Sequence, residues 1–226
     1  IDLVVAGAGF SRDMFGMGKE SGTPIVPIVS SGKLARISEG LGAAAVIVEG
    51  SEAGGHLGTN RSSREIVPEV LKAVKNIPVI GAGGVLDGKD IVEMMKLGAN
   101  GVQMGSRFAA SEECNASDEL KKMYLRAKAP EDVVLIESPV GLPGQAIRNK
   151  FAASVLDGTV PPPTECDRCL KHCSHKFCLI KALERAQQGD VETGLVFSGN
   201  NMRKVDEILP VKEIFRRLLA EVSQID

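Results

Sequence analysis

The amino-acid sequence predicts an α/β protein built on a parallel β-sheet. Short apolar runs typical of buried strands alternate with amphipathic segments at helical spacing, in units of roughly 20–30 residues. The chain has 226 residues, of which 43% are hydrophobic and 4% aromatic, which is enough for a sizeable aliphatic core. Glycine-rich stretches follow two successive strands, at residues 81–84 and at residues 105–106.

The elements of this sheet are predicted in chain order. We expect strands over residues 1–6, 23–29, 43–48, 77–80 and 101–104. Helices are expected over residues 33–41, 63–74 and 87–97, whereas residues 10–21 resemble a poor helix or a loop. Gly42 and Gly98 end two of the helices, because glycine readily adopts the left-handed conformation of a C-cap.

The two glycine-rich stretches favour a closed barrel over an open sheet. The (βα)8 or TIM barrel binds phosphate with the loops after its seventh and eighth strands. If residues 77–80 and 101–104 are those strands, residues 1–6 form strand four, and three strands lie upstream. We therefore expect the sequence, which starts at Ile1 and not at a methionine, to be the C-terminal part of a longer protein.

The pattern changes beyond residue 110. Helices are predicted over residues 117–128, 146–156 and 177–188, with a short strand over 133–137 and a turn-rich loop over 138–144. A last amphipathic helix over residues 211–222 is expected to return and cover the barrel. Its apolar face carries Ile214, Leu218, Leu219 and Val222.

Charge and cysteine content bear on the binding partners and the cellular location of the protein. A formal net charge of -2 provides no electrostatic case for binding nucleic acid or an anionic membrane. No apolar stretch is long enough to span a bilayer. Four of the five cysteines lie between Cys166 and Cys178, which is poor spacing for a disulfide framework and predicts a reducing, cytoplasmic location.

The loop after the third predicted strand, residues 49–58, combines glycines with a histidine. Gly54 and Gly55 allow a ligand to approach the backbone closely. His56 adds a side chain whose unperturbed pKa lies near neutrality. Active sites of βα barrels lie at this end of the strands, so we predict a functional rather than a structural role for His56.

The second candidate site is a phosphate site made by backbone N–H groups. Gly83, Gly84 and Gly105 follow predicted strands, where backbone N–H groups can bind a phosphate, and the Ser106 hydroxyl can add a donor. The alternative is two ordinary tight turns. Arg107, which follows the second turn, supports that loop, pairs with a carboxylate or contacts the phosphate.

The cysteine-rich segment provides a weaker signal. Zinc or an iron–sulfur cluster could be held by Cys166, Cys169, Cys173 and Cys178 with His172 and His175. The spacing lacks a repeated CxxC pair, however, so packed or free thiols are favoured and no metal site is predicted.

Three motifs resemble the nitronate monooxygenase family, formerly named 2-nitropropane dioxygenase, which includes the FMN-dependent enoyl-acyl-carrier-protein reductase II. They are EGSEAGGHLG at residues 49–58, IPVIGAGG at 77–84 and GVQMGSRF at 101–108, in the family's order and spacing. The resemblance continues through residues 138–141 and 146–149 and covers at least residues 1–151. The cysteine-rich segment lies outside the common pattern.

The resemblance implies an FMN-binding TIM barrel with a smaller α-rich domain inserted after strand eight. We accordingly expect residues 1–110 to belong to the barrel, 111–207 to the substrate-side domain, and 208–226 to the returning helix. It also implies that His56 is catalytic, that Gly54 and Gly55 lie near the flavin, and that backbone groups hold its phosphate with Gln103 nearby. The phosphate-binding residues are Gly83, Gly84, Gly105 and Ser106.

The resemblance implies an FMN-dependent oxidoreductase that oxidises alkyl nitronates or nitroalkanes to a carbonyl compound and nitrite with O2. The alternative is an enoyl-acyl-carrier-protein reductase that takes electrons from NAD(P)H. The expected partner is a small molecule, either a nitronate or an enoyl thioester, and a homodimer is left open. Two other classes stay open: a flavin-binding module without turnover, and a barrel enzyme acting on a phosphate ester.

Overall fold

The computed structural model of the protein describes residues 1–7, 11–166, 168–169 and 172–225. The chain divides into two compact units. The first contains Ile1–Glu52, Gly58–Met104 and Arg217–Asp226, and the second contains Ala53–Leu57 and Gly105–Arg216.

The strands and helices of the described residues are numbered in chain order. The strands are β1 (Val4–Ala6), β2 (Ile25–Val29), β3 (Val46–Glu49), β4 (Gly55–His56), β5 (Val79–Ala82), β6 (Gly101–Gln103), β7 (Val133–Glu137) and β8 (Pro143–Ile147). The α-helices are α1 (Asp13–Ser21), α2 (Gly32–Leu41), α3 (Ser63–Ala73), α4 (Gly88–Lys96), α5 (Ser106–Ala109), α6 (Asp118–Arg126), α7 (Lys150–Leu156), α8 (Leu179–Gln188) and α9 (Val211–Ser223).

The first unit is built on a five-stranded sheet in the order β1-β2-β3-β5-β6, with every neighbouring pair parallel. Because helices connect its strands, this arrangement confirms the predicted α/β class with a parallel sheet. Along β3, Val46 and Val48 pack in the cluster that contains residues of α2, α3 and α4. Ala45 and Ile47 pack in a second cluster, on the opposite face of the sheet.

The second unit contains a three-stranded antiparallel sheet in the order β4-β8-β7. Its core packs that sheet against α7 and α8 through Ile136, Ala146, Phe151 and Ala182. The side chains of Phe151 and Phe177 meet edge to face, with their ring centroids 5.2 Å apart. Of the three strands, only β7 corresponds to a strand predicted from the sequence.

Two predicted elements need correction. Residues 146–156 do not form one helix, because Ala146 and Ile147 end β8 and pair with Val134 and Val133 of β7. The helix α7 begins only after Asn149, whose side chain accepts a hydrogen bond from Ala152 N–H as an N-cap. Within residues 10–21, a regular helix, α1, begins at Asp13 and ends at Ser21. Gly22 follows it with a φ of 68° as a left-handed C-cap.

The last helix is present as predicted. Its C-terminal part, from Arg217 onward, belongs to the first unit. There the Glu221 carboxylate accepts a hydrogen bond from Gly88 N–H at 2.6 Å. None of the helices in the described ranges is long and apolar enough to cross a bilayer.

We predict that Ile66→Ala lowers the free energy of unfolding by about 2 to 5 kcal/mol, because Ile66 has no exposed surface and the substitution leaves a cavity under the sheet. Urea unfolding followed by circular dichroism measures the change. Ile180→Ala is the matched control, because Ile180 is 51% exposed, and its expected effect is within about 0.5 kcal/mol. Equal losses for the two variants would contradict this assignment of the core.

Candidate active site

The carboxyl ends of three neighbouring strands place the first group of candidate residues in the first unit. Glu49 ends β3 and pairs with Ala82, which ends β5, and Ala82 pairs in turn with Gln103, which ends β6. These residues therefore lie side by side at one edge of the sheet. This is the edge where ligands of parallel α/β proteins bind.

The turn after β5 has the backbone that a glycine pair permits. Gly83 has a φ of 95° and Gly84 a φ of 72°. Residues other than glycine rarely have a positive φ at two successive positions. Two of the three predicted phosphate-binding glycines thus occupy a left-handed turn directly beyond the strand end.

Glu49 lies at the same edge, and sequence reasoning assigned it no role. By strand alternation its side chain shares a face with Ile47 and Ala45, whose surroundings are apolar. Burial raises the pKa of the Glu49 carboxyl to about 7. A strand-end glutamate on an otherwise aliphatic face was the available sequence signal.

The second unit positions His56. Strand β4 pairs with β8, with Gly55 opposite Gln145 and His56 opposite Gly144. The Gln145 side chain donates a hydrogen bond to Ala53 O at 2.6 Å, which fastens the start of the loop. The backbone that carries the imidazole is therefore held by a sheet rather than by a free loop.

The His56 ring has two side-chain neighbours in this unit. Its Nε2 lies 2.7 Å from Ser138 Oγ, and its ring meets Phe197 edge to face, with ring centroids 5.2 Å apart. Burial lowers the pKa of His56 below its ordinary value of 6.5. The imidazole is therefore neutral at pH 7, with one nitrogen available as a base.

Glycine is required at positions 54 and 55 for two different structural reasons. At Gly54 a Cβ atom would lie 2.7 Å from Gly199 N and from Ser198 C, so the backbone of residues 198–199 requires a glycine there. Gly55 has a φ of 85°. Gly54 is thus explained by packing within the protein, without a ligand.

Ser106 and Gly105 also lie in the second unit. The Ser106 hydroxyl accepts a hydrogen bond from Gly199 N–H at 3.2 Å. At Gly105 a Cβ atom would meet nothing within 4 Å, so the space beside it is open. Arg107 is buried, and its guanidinium donates to the carbonyl oxygens of Ala110 and Glu207. Of the roles predicted for Arg107, these bonds correspond to support of the loop.

The segment of Phe197, Ser198 and Gly199 links these residues within the second unit. It contacts His56, Gly54 and Ser106, and Gln145 O holds it by accepting a hydrogen bond from Ser198 N–H. Sequence reasoning missed this segment. The Ser198-Gly199 pair directly after the apolar run from Leu195 to Phe197 was the signal that could have found it.

A cavity of about 730 Å³ in the second unit borders Ser138. Its walls are formed by residues 137–143 and residues 172–176. The cavity lies directly beside the partner of the His56 imidazole. A volume of this size accommodates a ligand much larger than a short nitroalkane.

The cysteine-rich segment is described in part, since Asp167, Leu170 and Lys171 lie outside the described residues. Cys166 Sγ lies 3.9 Å from His175 Nδ1. Among the residues that are described, the cysteines are free thiols, and no group of three His, Cys, Asp or Glu side chains is placed to hold a metal ion.

Comparison with known proteins identifies a family. The sequence matches the nitronate monooxygenase family over residues 2–221. It is 29% identical over 221 residues to a probable nitronate monooxygenase of Staphylococcus aureus, an alignment that covers 92% of this chain and 58% of that protein.

Two further proteins are similar. The (3aS,4S,5R,7aS)-5-hydroxy-7a-methyl-1-oxo-octahydro-1H-indene-4-carboxyl-CoA dehydrogenase of Mycobacterium tuberculosis is 36% identical over 143 residues, which cover 62% of this chain and 40% of that protein. The structure of FabK from Thermotoga maritima superposes with a TM-score of 0.85 at 36% identity, covering 99% of this chain and 68% of FabK. The chain spans about half the length of the curated relatives it matches.

We predict that Glu49→Gln stabilises the protein increasingly as the pH rises. The folded-state pKa, about 7, lies above the ordinary value of 4.5, so the wild-type protein loses stability between these pH values as the unfolded chain ionises first. The glutamine variant does not titrate and should gain on the order of 2 to 3 kcal/mol over wild type by pH 8.

Urea unfolding at pH 5, 6, 7 and 8 measures this difference. Glu20→Gln, at an exposed position of α1, is the matched control. The difference between its free energy of unfolding and that of wild type should be the same at each pH. A constant difference between Glu49→Gln and wild type across the series would contradict the burial of this carboxyl group.

Proposed function

The chain belongs to the nitronate monooxygenase family, and from this membership we propose that the protein is an FMN-dependent oxidoreductase. In this proposal it oxidises alkyl nitronates or nitroalkanes to a carbonyl compound and nitrite with O2. The single observation that carries the proposal is His56, a half-buried, neutral imidazole oriented by Ser138. A base of this kind suits proton abstraction from a carbon acid.

The residues of the candidate site fit FMN. The left-handed turn at Gly83 and Gly84 provides a backbone suited to a phosphate. Because Ser106 accepts the hydrogen bond from Gly199, its own hydroxyl proton can be donated to a phosphate oxygen. We propose that these residues hold the phosphate with Gly105, while Gln103, Gly54 and Gly55 lie near the ring system. Bound FMN supplies the electron transfer between substrate and O2.

His56 performs the proton transfer in the proposed reaction. When Nε2–H donates to Ser138 Oγ, Nδ1 keeps its lone pair and takes the proton from the α-carbon of a neutral nitroalkane. The C–H electron pair stays on the substrate and delocalises onto the nitro oxygens, which makes the nitronate. The Ser138 hydrogen bond holds the ring orientation during this step.

The proposal also includes the closure of the barrel, the domain limits and the cellular location. We propose a closed TIM barrel in which β1 is strand four, with the domain limits expected from the sequence at residues 110 and 207. In the described residues, β1 and β6 are the edge strands of the parallel sheet, as they must be in part of a barrel. A cytoplasmic location is proposed because the described cysteines are free thiols.

The second candidate is an NAD(P)H-dependent enoyl-acyl-carrier-protein reductase II. Two observations favour it: the similarity to FabK, an enoyl-ACP reductase II, and the cavity of about 730 Å³ beside Ser138. A cavity of that volume suits the long arm of a thioester substrate better than a short nitroalkane. In this alternative His56 polarises the substrate or orients the nicotinamide.

We predict that His56→Ala lowers kcat/KM for a neutral nitroalkane by about 10²- to 10⁴-fold, because the base is removed. FMN content, measured from the absorption spectrum, should stay unchanged. For the wild-type protein, kcat/KM should fall as the pH drops through the lowered pKa of His56, below 6.5. Steady-state nitrite release measures both effects.

Lys150→Ala is the control for this variant, because the Lys150 side chain is 83% exposed in the same unit and lies outside the cavity walls formed by residues 137–143 and 172–176. Its kinetics should equal those of wild type. Unchanged turnover in His56→Ala with full FMN content would remove His56 from the reaction.

The two candidate functions predict opposite substrate profiles. We expect an alkyl nitronate and O2 to yield nitrite without NADH consumption, and an enoyl thioester to leave NADH unoxidised. Parallel assays of nitrite release and of NADH absorbance separate the two. NADH oxidation that depends on the enoyl thioester, with no turnover of nitronate, would establish the reductase instead.

A further inference from the structure

The first turn of α3 contacts the Gly83–Gly84 turn through two side chains. Arg64 Nη1 donates a hydrogen bond to Gly83 O at 3.0 Å, and Ser63 Oγ donates to the same oxygen at 3.3 Å. Ser63 has no exposed surface, and the Arg64 side chain is only 21% exposed. A carbonyl oxygen with two donors is strongly fixed in direction.

The direction of this carbonyl determines the direction of the next N–H group. Because the peptide unit is planar and trans, the Gly83 carbonyl and the Gly84 N–H point to opposite sides. With the carbonyl held toward Arg64, the N–H of Gly84 points away from α3. The carbonyl oxygen is the negative end of the peptide dipole. Because it points toward α3, it does not repel an anion on the opposite side of the turn.

Arg64 also holds the far end of the β5–α4 connection. Its Nη2 lies 3.6 Å from Asp90 Oδ1, and Asp90 Oδ2 accepts a hydrogen bond from Leu86 N–H at 3.0 Å. The guanidinium group thus contacts the connection directly at Gly83 and, through Asp90, at Leu86. Its fork of five donors suits a site with several acceptors, whereas the lysine ammonium is a more compact point charge.

The charge around Arg64 favours a positioning role over direct contact with a phosphate. Three carboxylates, Glu52, Asp90 and Glu93, lie within 4.0 Å of its guanidinium nitrogens. One guanidinium among three carboxylates carries no surplus positive charge to offer a phosphate. Without Arg64, these carboxylates would lose their common counter-ion close to the glycine turn.

We propose that Arg64 is a positioning residue for the FMN phosphate: it fixes the Gly83 carbonyl and neutralises the carboxylates beside the turn. This inference rests on the proposed function, because it assumes that the turn holds the phosphate of FMN. It assigns to the protein a selectivity for FMN over riboflavin, which has the same ring system without the phosphate.

The test is a comparison of the affinities of apoprotein for FMN and for riboflavin, measured by flavin fluorescence quenching. In Arg64→Met, the Kd for FMN should rise by about tenfold or more, while the Kd for riboflavin should change less than about twofold. Arg64→Lys should recover part of the FMN affinity, because it restores the charge without the donor fork. Ser63→Ala, which removes the second donor to Gly83, should weaken FMN binding by a smaller factor.

Arg61→Met is the matched control, because Arg61 pairs with Glu65 and Glu69 at the surface and does not contact the turn in the described hydrogen bonds and ion pairs. It should bind both flavins as wild type does. Equal losses for FMN and riboflavin in Arg64→Met, or no loss for either, would overturn the positioning role.

If Arg64→Met does not fold, as circular dichroism will show, the ratio of the two Kd values in Ser63→Ala and Arg64→Lys decides the question. A ratio unchanged from wild type in both would overturn the positioning role. If the wild-type protein itself binds neither flavin, the proposed function fails, and this inference fails with it.

Discussion

The parallel register of β3, β5 and β6 is the constraint on which the candidate site of the first unit depends. It places Glu49, Ala82 and Gln103 in one row, so that the turn after Ala82 begins at the same edge as the loop after Glu49. Helix α3 then contacts both connections: the Glu52 carboxylate accepts from Ser63 N–H, and Arg64 donates to Gly83 O. The sheet determines where the turn after Ala82 begins, and the polar first turn of α3 determines the direction of the Gly83 carbonyl.

In the second unit, an antiparallel sheet and one irregular segment, residues 197–199, position His56. Strand β8 pairs with the Gly55–His56 strand and also holds Ser198 through Gln145 O. Phe197 and Ser138 then restrict the imidazole from two directions. The His56 imidazole is thus neutral and oriented because of contacts from parts of the chain far away in sequence. Burial, which lowers its pKa, comes from the same contacts.

Local patterns in the sequence were enough for the parallel sheet and for α2, α3 and α4. Helix α3, for example, was predicted within one residue of its observed end because Ile66, Val67 and Val70 repeat with helical spacing. Strand β8 was missed because Gln145, Ala146 and Ile147 form too short a run to show alternation, and its pairing depends on β7. The Ser138 contact spans 82 positions, and the raised pKa of Glu49 depends on burial. Neither is encoded in a local pattern.

We propose above all that the protein is a flavin oxidoreductase that takes electrons from a nitronate. The most direct test is the absorption spectrum of the purified protein, recorded anaerobically before and after addition of an alkyl nitronate. We predict the two visible bands of oxidised flavin, which a nitronate bleaches and O2 restores. A protein that shows no flavin bands, even after incubation with FMN and removal of the excess, would contradict the account.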